Sequence, residues 1–120
     1  MSFRISKEFH FSASHQLFGL PPDHQCARLH GHNYVIIVEL KSDSLNEVGF
    51  VQDYGELKPI KEYIDKELDH RHLNNVFDFN PTAELMAQFL FKKFKAIFPS
   101  LVAVTVKDTP KTIARYGPED

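Results

Sequence analysis

The fold is decided by the stretch HGHNYVIIVELK, residues 30–41, in which large apolar side chains recur at every second position. The apolar members of one parity are Tyr34, Ile36, Val38 and Leu40. A period of two is the pattern of a β-strand with one buried face. His30 and His32 share the parity of these apolar residues, so both imidazoles are predicted to point toward the core.

A second alternating stretch runs from Phe3 to Gln16 and predicts another half-buried strand. Its inward positions are Phe3, Ile5, Phe9, Phe11 and Ala13, and its outward positions are Arg4, Ser6, Glu8, Ser12 and Ser14, with Lys7 the exception. His15 falls on the inward parity. Residues 19–25, with Pro21 and Pro22, predict a loop between the two strands.

Two helices are predicted in the second half of the chain. Asp53 stands three residues before Glu56, as in a capping box, and apolar residues then recur at helical spacing. They are Leu57, Ile60, Ile64 and Leu68. Asn80 and Pro81 are suited to capping and opening a second helix, whose apolar stripe reaches Phe98.

The last two strands complete an α+β pattern. Leu101 to Asp108 is rich in β-branched residues, and Thr112 to Tyr116 follows after a short connection. The order strand, strand, helix, helix, strand, strand predicts an antiparallel sheet with the helices packed on it, within one domain over residues 1–120.

Composition narrows the classes of function. The 14 basic and 16 acidic residues give a net charge of −2, without the basic excess of a nucleic-acid binder. No apolar run approaches the roughly 20 residues that span a bilayer, and residues 1–4 open no signal or lipidation motif. A single cysteine cannot form an internal disulfide. We therefore expect a cytoplasmic protein with neither a nucleic-acid nor a membrane partner.

Three of the seven histidines predict a metal site. His30 and His32 leave the same face of a strand about 6 to 7 Å apart, and His15 points inward from the other strand. Buried imidazoles need partners for their ring nitrogens, and a shared ion supplies one. Three nitrogen ligands suit Zn²⁺ and leave a coordination position open. The alternative is three ordinary strand-end histidines bound to the backbone; we assign His10, His24 and His72 to that class.

Cys26 lies four residues before His30, beside the predicted metal. A thiol close to a cation and imidazoles becomes a better base or nucleophile near neutral pH. Two other roles remain open: a fourth zinc ligand, which would close the site, and a small buried hydrophobe.

Asp69 and His70 stand together where the first helix is predicted to end. A carboxylate can orient and tune a catalytic imidazole. Adjacent residues on a helix do not face each other, however, and such a run is also typical of a solvated helix end.

Together these pieces resemble the 6-pyruvoyl-tetrahydropterin synthase and 6-carboxy-tetrahydropterin synthase family. The matching segments are Phe11-Ser12-Ala13-Ser14-His15, Cys26-Ala27-Arg28-Leu29-His30-Gly31-His32, Asp53-Tyr54, Leu68-Asp69-His70, Leu73-Asn74 and Asn80-Pro81-Thr82-Ala83-Glu84. They occur in family order over nearly the whole chain. The spacing from the cysteine to His-Gly-His resembles the bacterial 6-carboxy branch.

The resemblance implies a tunnelling fold: a four-stranded antiparallel sheet with two helices on one face, three copies closing a barrel and two trimers forming a hexamer. The active sites would lie between subunits. It also implies that His15, His30 and His32 are zinc ligands, that Cys26 is the general base, that Asp69 and His70 form a relay pair, and that Thr82 and Glu84 contact the pterin.

The implied reaction converts 7,8-dihydroneopterin triphosphate to 6-carboxy-5,6,7,8-tetrahydropterin, acetaldehyde and triphosphate, an early step toward queuosine. Pyruvoyl-tetrahydropterin synthesis and a non-catalytic zinc and pterin binder are the alternatives. Three positions depart from the family pattern: Asp108 stands where a glutamate anchors the pterin and joins the relay, and Ser14 and Gln16 replace the usual alanine and arginine. Asp108 is assigned to both the catalytic and the substrate-binding set.

Overall fold

A computed structural model of the chain describes residues 1–118. The two alternating stretches form its two longest strands, β1 (Phe3–His15) and β2 (His30–Ser42), as the sequence predicts. They pair antiparallel along their whole length, from Phe3 opposite Ser42 to His15 opposite His30. The loop between them therefore leaves and enters the sheet at predicted metal ligands.

The sheet has five strands and is mixed, in the order β3-β1-β2-β4-β5. Strands β4 (Leu101–Thr109) and β5 (Thr112–Tyr116) continue the antiparallel pattern. The prediction of a four-stranded antiparallel sheet is therefore wrong in one respect. A fifth strand, β3 (Arg71–His72), runs parallel to β1 beside Ala13 and Ser14. A two-residue strand is too short to show an alternation, so the sequence gives no signal for it.

The first predicted helix exists but is irregular. A 3₁₀ turn (Tyr54–Leu57) leads into α1 (Lys58–Tyr63), and a π-helical turn (Ile64–Leu68) ends it. The Asp53 carboxylate accepts from the Gly55 N–H at 2.9 Å, but Glu56 accepts from Gln52 and forms no capping box. Pro59 lies in the first turn of α1, where its missing N–H leaves no helical bond unmade.

The short α2 (Leu73–Val76) was not predicted, and α3 (Ala83–Lys95) begins later than Asn80 and Pro81 suggest. Thr82 is the N-cap, because its side chain accepts from the Leu85 N–H at 3.2 Å. The Asn80 side chain instead binds the backbone of Phe18.

The core lies between one face of the sheet and the helices. Its strand residues include Phe9, Phe11, Tyr34, Ile36, Val38, Leu40, Val104 and Val106, and its helix residues include Ile60, Ile64, Met86, Leu90 and Phe94. His15 is buried at the end of this face. None of the helices in residues 1–118 has the length and apolar character that crossing a membrane requires.

Candidate metal centre and active site

Three imidazoles converge where β1 ends and β2 begins. One ring nitrogen from each of His15, His30 and His32 lies within 4.8 Å of the others, and the ring centroids are 4.5 to 5.0 Å apart. Antiparallel pairing sets His15 opposite His30, and the period of two places His32 on the same face. Strand register alone therefore gathers the three predicted ligands into a group that can hold a metal ion.

Hydrogen bonds to backbone carbonyls orient two of the rings. His15 Nδ1 donates to the carbonyl of Pro81 at 2.9 Å, and His30 Nδ1 donates to that of Arg28 at 2.7 Å. These bonds assign the ring protons to Nδ1 and leave the lone pairs on Nε2. The two Nε2 atoms are 2.9 Å apart. Two lone pairs at that distance repel each other, and a shared cation removes the repulsion.

Burial favours the neutral form of two of the three histidines, His15 and His32. It lowers the pKa of His15 below the ordinary 6.5, with His30 and His32 acting in the same direction and the carbonyl of Pro81 and Asp108 opposing. Burial, followed by His30, lowers the pKa of His32 too. Neutral imidazole is the form that binds metal, so the lowered pKa values of His15 and His32 favour metal binding over protonation.

Cys26 lies next to this group without joining it. The thiol is half-buried in a 3₁₀ turn (Gln25–Ala27) and borders a cavity of about 280 Å³ together with Gln25, His30 and His32. Within residues 1–118, the converging ligand atoms come from the three histidines and not from Cys26. A metal ion held by three protein ligands would keep a coordination position open, the arrangement of a catalytic rather than a structural metal site.

The side chains of Asp69 and His70 contact each other, although adjacent residues in a regular helix would not face each other. His70 Nδ1 lies 3.0 Å from Asp69 Oδ2 because Asp69 is already extended and His70 has a left-handed φ of 60°. The Asp69 carboxylate also accepts from the Ser12 N–H at 2.9 Å. That bond, followed by the one with His70, lowers the pKa of Asp69 below 3.8. The carboxylate is therefore ionised at neutral pH and can orient the imidazole.

His70 faces a second, more open cavity of about 470 Å³, shared with Ser12, Ser14, Asn33 and His72. His32 borders this cavity as well as the one at Cys26. His32 thus lies between the cavity at the Cys26 thiol and the cavity at His70.

The remaining predicted residues lie outside the walls of these two cavities as residues 1–118 form them. Thr82 caps α3, and Glu84 is exposed in its first turn. Asp108 lies at a register shift of β4 and accepts a hydrogen bond from the Thr112 hydroxyl. Its charge nevertheless reaches the centre, because it acts to raise the pKa of both His15 and His32.

Sequence reasoning missed the groups that fix the chain after His15. Asn74 binds both backbone groups of Gln16, at 2.8 and 2.7 Å, and Asn80 binds both of Phe18, at 3.1 and 2.9 Å. It also missed Tyr34, whose hydroxyl lies 3.1 Å from His15 Nδ1. Only the inward parity of Tyr34 could have indicated its place near the site.

Ser14 and Gln16, which depart from the family pattern, have side-chain partners, and so do the three histidines not assigned to the site, His10, His24 and His72. The Ser14 hydroxyl lies 2.9 Å from His72 Nδ1, and the Gln16 amide donates to the carbonyl of Ala27 at 2.9 Å. His10 lies 3.5 Å from Glu8, and His24 accepts from the Cys26 N–H. None of the three unassigned imidazoles belongs to the converging group of residues 1–118.

Comparison with known proteins agrees with this geometry. The family model described as 6-pyruvoyl tetrahydropterin synthase matches residues 4–119. A 6-carboxy-5,6,7,8-tetrahydropterin synthase of Synechocystis is 39% identical over 93% of this chain and 91% of its own. A dihydroneopterin monophosphate aldolase of Pyrococcus furiosus is 31% identical over 82% and 81%.

The fold is shared with solved structures. The 6-pyruvoyl tetrahydropterin synthase of Caenorhabditis elegans superposes with a TM-score of 0.85 at 29% identity, covering 98% of this chain and 96% of that one. The shared α+β fold and the match over nearly the whole sequence support the same family. The chain belongs to the 6-pyruvoyl tetrahydropterin synthase family.

Proposed function

We propose that this chain is a zinc-dependent 6-carboxy-5,6,7,8-tetrahydropterin synthase. It would convert 7,8-dihydroneopterin triphosphate and water to 6-carboxytetrahydropterin, acetaldehyde and triphosphate, and so act in the cytoplasm early in the synthesis of queuosine. The observation that carries the proposal is the half-buried Cys26 thiol on the cavity into which His30 and His32 open. The similarity to the Synechocystis synthase supports it.

The donor set fits zinc. Three imidazole nitrogens, two of them on rings oriented by backbone carbonyls, are typical ligands of a catalytic Zn²⁺. His15, His30 and His32 would hold the zinc ion, which would supply a Lewis acid for the oxygens of the substrate side chain and for negative charge developing there. The cavity at Cys26 leaves room for the substrate on one side.

In the proposed reaction, Cys26 and the Asp69–His70 pair transfer the protons. Cys26 acts as the general base toward the substrate carbons nearest the metal. Asp69 is held ionised by the Ser12 N–H and keeps His70 oriented, 3.0 Å away, so that its imidazole can exchange a proton at Nε2. The thiol and the imidazole border different cavities of one chain. The family resemblance implies a homohexamer, a dimer of trimers, and we propose that neighbouring subunits in it complete each site by bringing a thiol and an imidazole together.

The pterin ring would be held by Asp108 and by the segment that contains Thr82 and Glu84. The Asp108 carboxylate is one methylene shorter than glutamate and already accepts from Thr112. Binding a pterin amino group would require Thr112 to release or share it. We therefore assign Asp108 a role in substrate affinity first and in the proton relay second.

Product analysis tests the proposal. Metal-loaded protein is incubated with 7,8-dihydroneopterin triphosphate, and the pterin product and acetaldehyde are measured. Carboxypterin with stoichiometric acetaldehyde supports the synthase. A retained three-carbon side chain would assign pyruvoyl-tetrahydropterin synthesis, the activity named for the C. elegans relative. Turnover of dihydroneopterin monophosphate alone would assign the aldolase activity named for the P. furiosus relative. Tight pterin binding without turnover would assign a non-catalytic binder.

A further inference from the structure

The turn that carries Cys26 cannot hold its own shape. It has three residues, Gln25–Ala27, and its internal bonds are those from the Ala27 N–H to the His24 carbonyl at 3.0 Å and from the Arg28 N–H to the Gln25 carbonyl at 3.2 Å. An isolated turn with so few bonds is marginal in water. The position of the thiol is therefore set by contacts from outside the turn.

Both backbone groups of Cys26 have such contacts. Its N–H donates to His24 Nδ1 at 3.0 Å, and its carbonyl accepts from the Leu17 N–H at 3.0 Å. The imidazole of His24 thus caps the turn in the way that an asparagine side chain does in an Asx turn. With both groups bound, the thiol has little freedom beyond rotation about its own side-chain bond.

The contact through Leu17 is rigid because its neighbours are fixed. Asn74 binds both backbone groups of Gln16, and Asn80 binds both of Phe18. Leu17, between them, therefore presents its N–H from a segment that is held on both sides and follows the end of β1 at His15. The bond from His24 is different, since it comes from one exposed side chain within the loop itself.

We propose that His24 is a positioning residue for Cys26, whose Nδ1 fixes the Cys26 turn so that the thiol faces the cavity shared with His30 and His32. The role rests on the proposed function of Cys26 as the base. A displacement of about 1 Å of a reacting group can cost a hundredfold in rate. Losing an exposed hydrogen bond in a loop is not expected to unfold the chain.

The test compares His24→Ala with His24→Asn. Alanine removes the acceptor, whereas the asparagine Oδ1 occupies the place of Nδ1 and restores it. His10→Ala is the matched control, since His10 is an exposed imidazole near Glu8 on β1. Cys26 is the chain's one cysteine, so thiol alkylation by iodoacetamide reports on it alone.

We expect His24→Ala to lower kcat about tenfold to a hundredfold with KM and bound zinc unchanged. Its alkylation rate should rise at least threefold as the turn opens. His24→Asn should restore both values. The proposal is overturned if His24→Ala alkylates and turns over like wild type, or if His24→Asn behaves like His24→Ala. Alkylation needs no pterin substrate, so it still tests the positioning if the proposed reaction is wrong.

Discussion

His15 Nε2 and His30 Nε2 lie 2.9 Å apart, while the Nδ1 atom of each ring donates to a backbone carbonyl. The relationship is a product of sheet register, because His15 and His30 are cross-strand partners at the end of a 13-residue antiparallel pair. Folding of the sheet therefore brings the donor atoms together, and the carbonyls of Pro81 and Arg28 select the tautomer that binds a cation.

Removing a metal ligand should remove the metal. We expect His32→Ala to weaken zinc affinity by more than about a hundredfold, beyond the range for outer hydrogen bonds. Tyr34→Phe should weaken zinc affinity about tenfold at most. His15 Nδ1 keeps its bond to the Pro81 carbonyl without the Tyr34 hydroxyl, and a phenylalanine ring at position 34 can still stack on Phe11. Chelator competition measures both, with His10→Ala as control. Wild-type affinity in His32→Ala would contradict the three-histidine site.

Removing the thiol should separate catalysis from metal binding. Cys26→Ala is expected to lower turnover by about 10²- to 10⁴-fold, the usual contribution of a positioned acid-base group. Zinc content should stay at the wild-type level, because Cys26 lies outside the converging ligand set of residues 1–118. Metal analysis and steady-state kinetics measure the two effects. Loss of zinc would instead make Cys26 a ligand, and unchanged turnover would exclude it as the base.

The Asp69 carboxylate should contribute to stability only while it is ionised. Its pKa lies below 3.8 in the folded chain, so its contribution is fully present above that pH and is lost as the pH falls through the lowered pKa. The difference in unfolding free energy between wild type and Asp69→Asn should therefore stay constant from neutral pH to about 4 and then shrink. Urea unfolding across pH measures it.

Asp65→Asn is the control for that series. Asp65 pairs with Lys61 at 2.6 Å on the exposed face of the helical segment, and such pairs contribute little. Its difference from wild type should be small at every pH. A difference for Asp69→Asn that is equally small and flat would show that the bonds from Ser12 and His70 do not stabilise the fold.

Because the backbone of His70 is left-handed, a glycine variant at this position should be more stable than an alanine variant, the reverse of the usual order in a helix. His70 has a φ of 60°, which favours glycine over other residues. We expect His70→Gly to be about 1 kcal/mol more stable than His70→Ala. At Glu67, an exposed helical position, the same pair should differ by about 1 kcal/mol in the opposite direction. Both variants at position 70 should lose turnover. Equal stabilities at position 70 would contradict a strained backbone.

The metal ligands could be predicted from the sequence because a period of two assigns each residue of a strand to a face. His15, His30 and His32 share the inward parity with Phe11 and Tyr34, and the structure brings them together. The antiparallel pairing of the four longer strands, β1, β2, β4 and β5, was also predictable, since each strand has enough residues to show a strand pattern.

Contacts between distant residues were not predictable. The bonds of Asn74 and Asn80 to Gln16 and Phe18 span 58 and 62 positions of sequence, and nothing local marks the partners. The π-helical turn and β3 are too short for a periodic signal. The sequence leaves the Asp69–His70 pair open because adjacent residues of a helix do not face each other, and an extended Asp69 followed by a left-handed His70 makes the pair possible.

Both backbone groups of Ser12 are occupied by the segment that bears His70: its N–H donates to Asp69, and its carbonyl accepts from the His70 N–H at 2.6 Å. Three residues further along the same strand is His15. The separation between the acid-base pair and the metal ligands within one subunit is thus a fixed length of extended backbone. If neighbouring copies share an active site, the packing of the subunits and the shape of the Cys26 turn together set how closely a thiol approaches the imidazole of its neighbour.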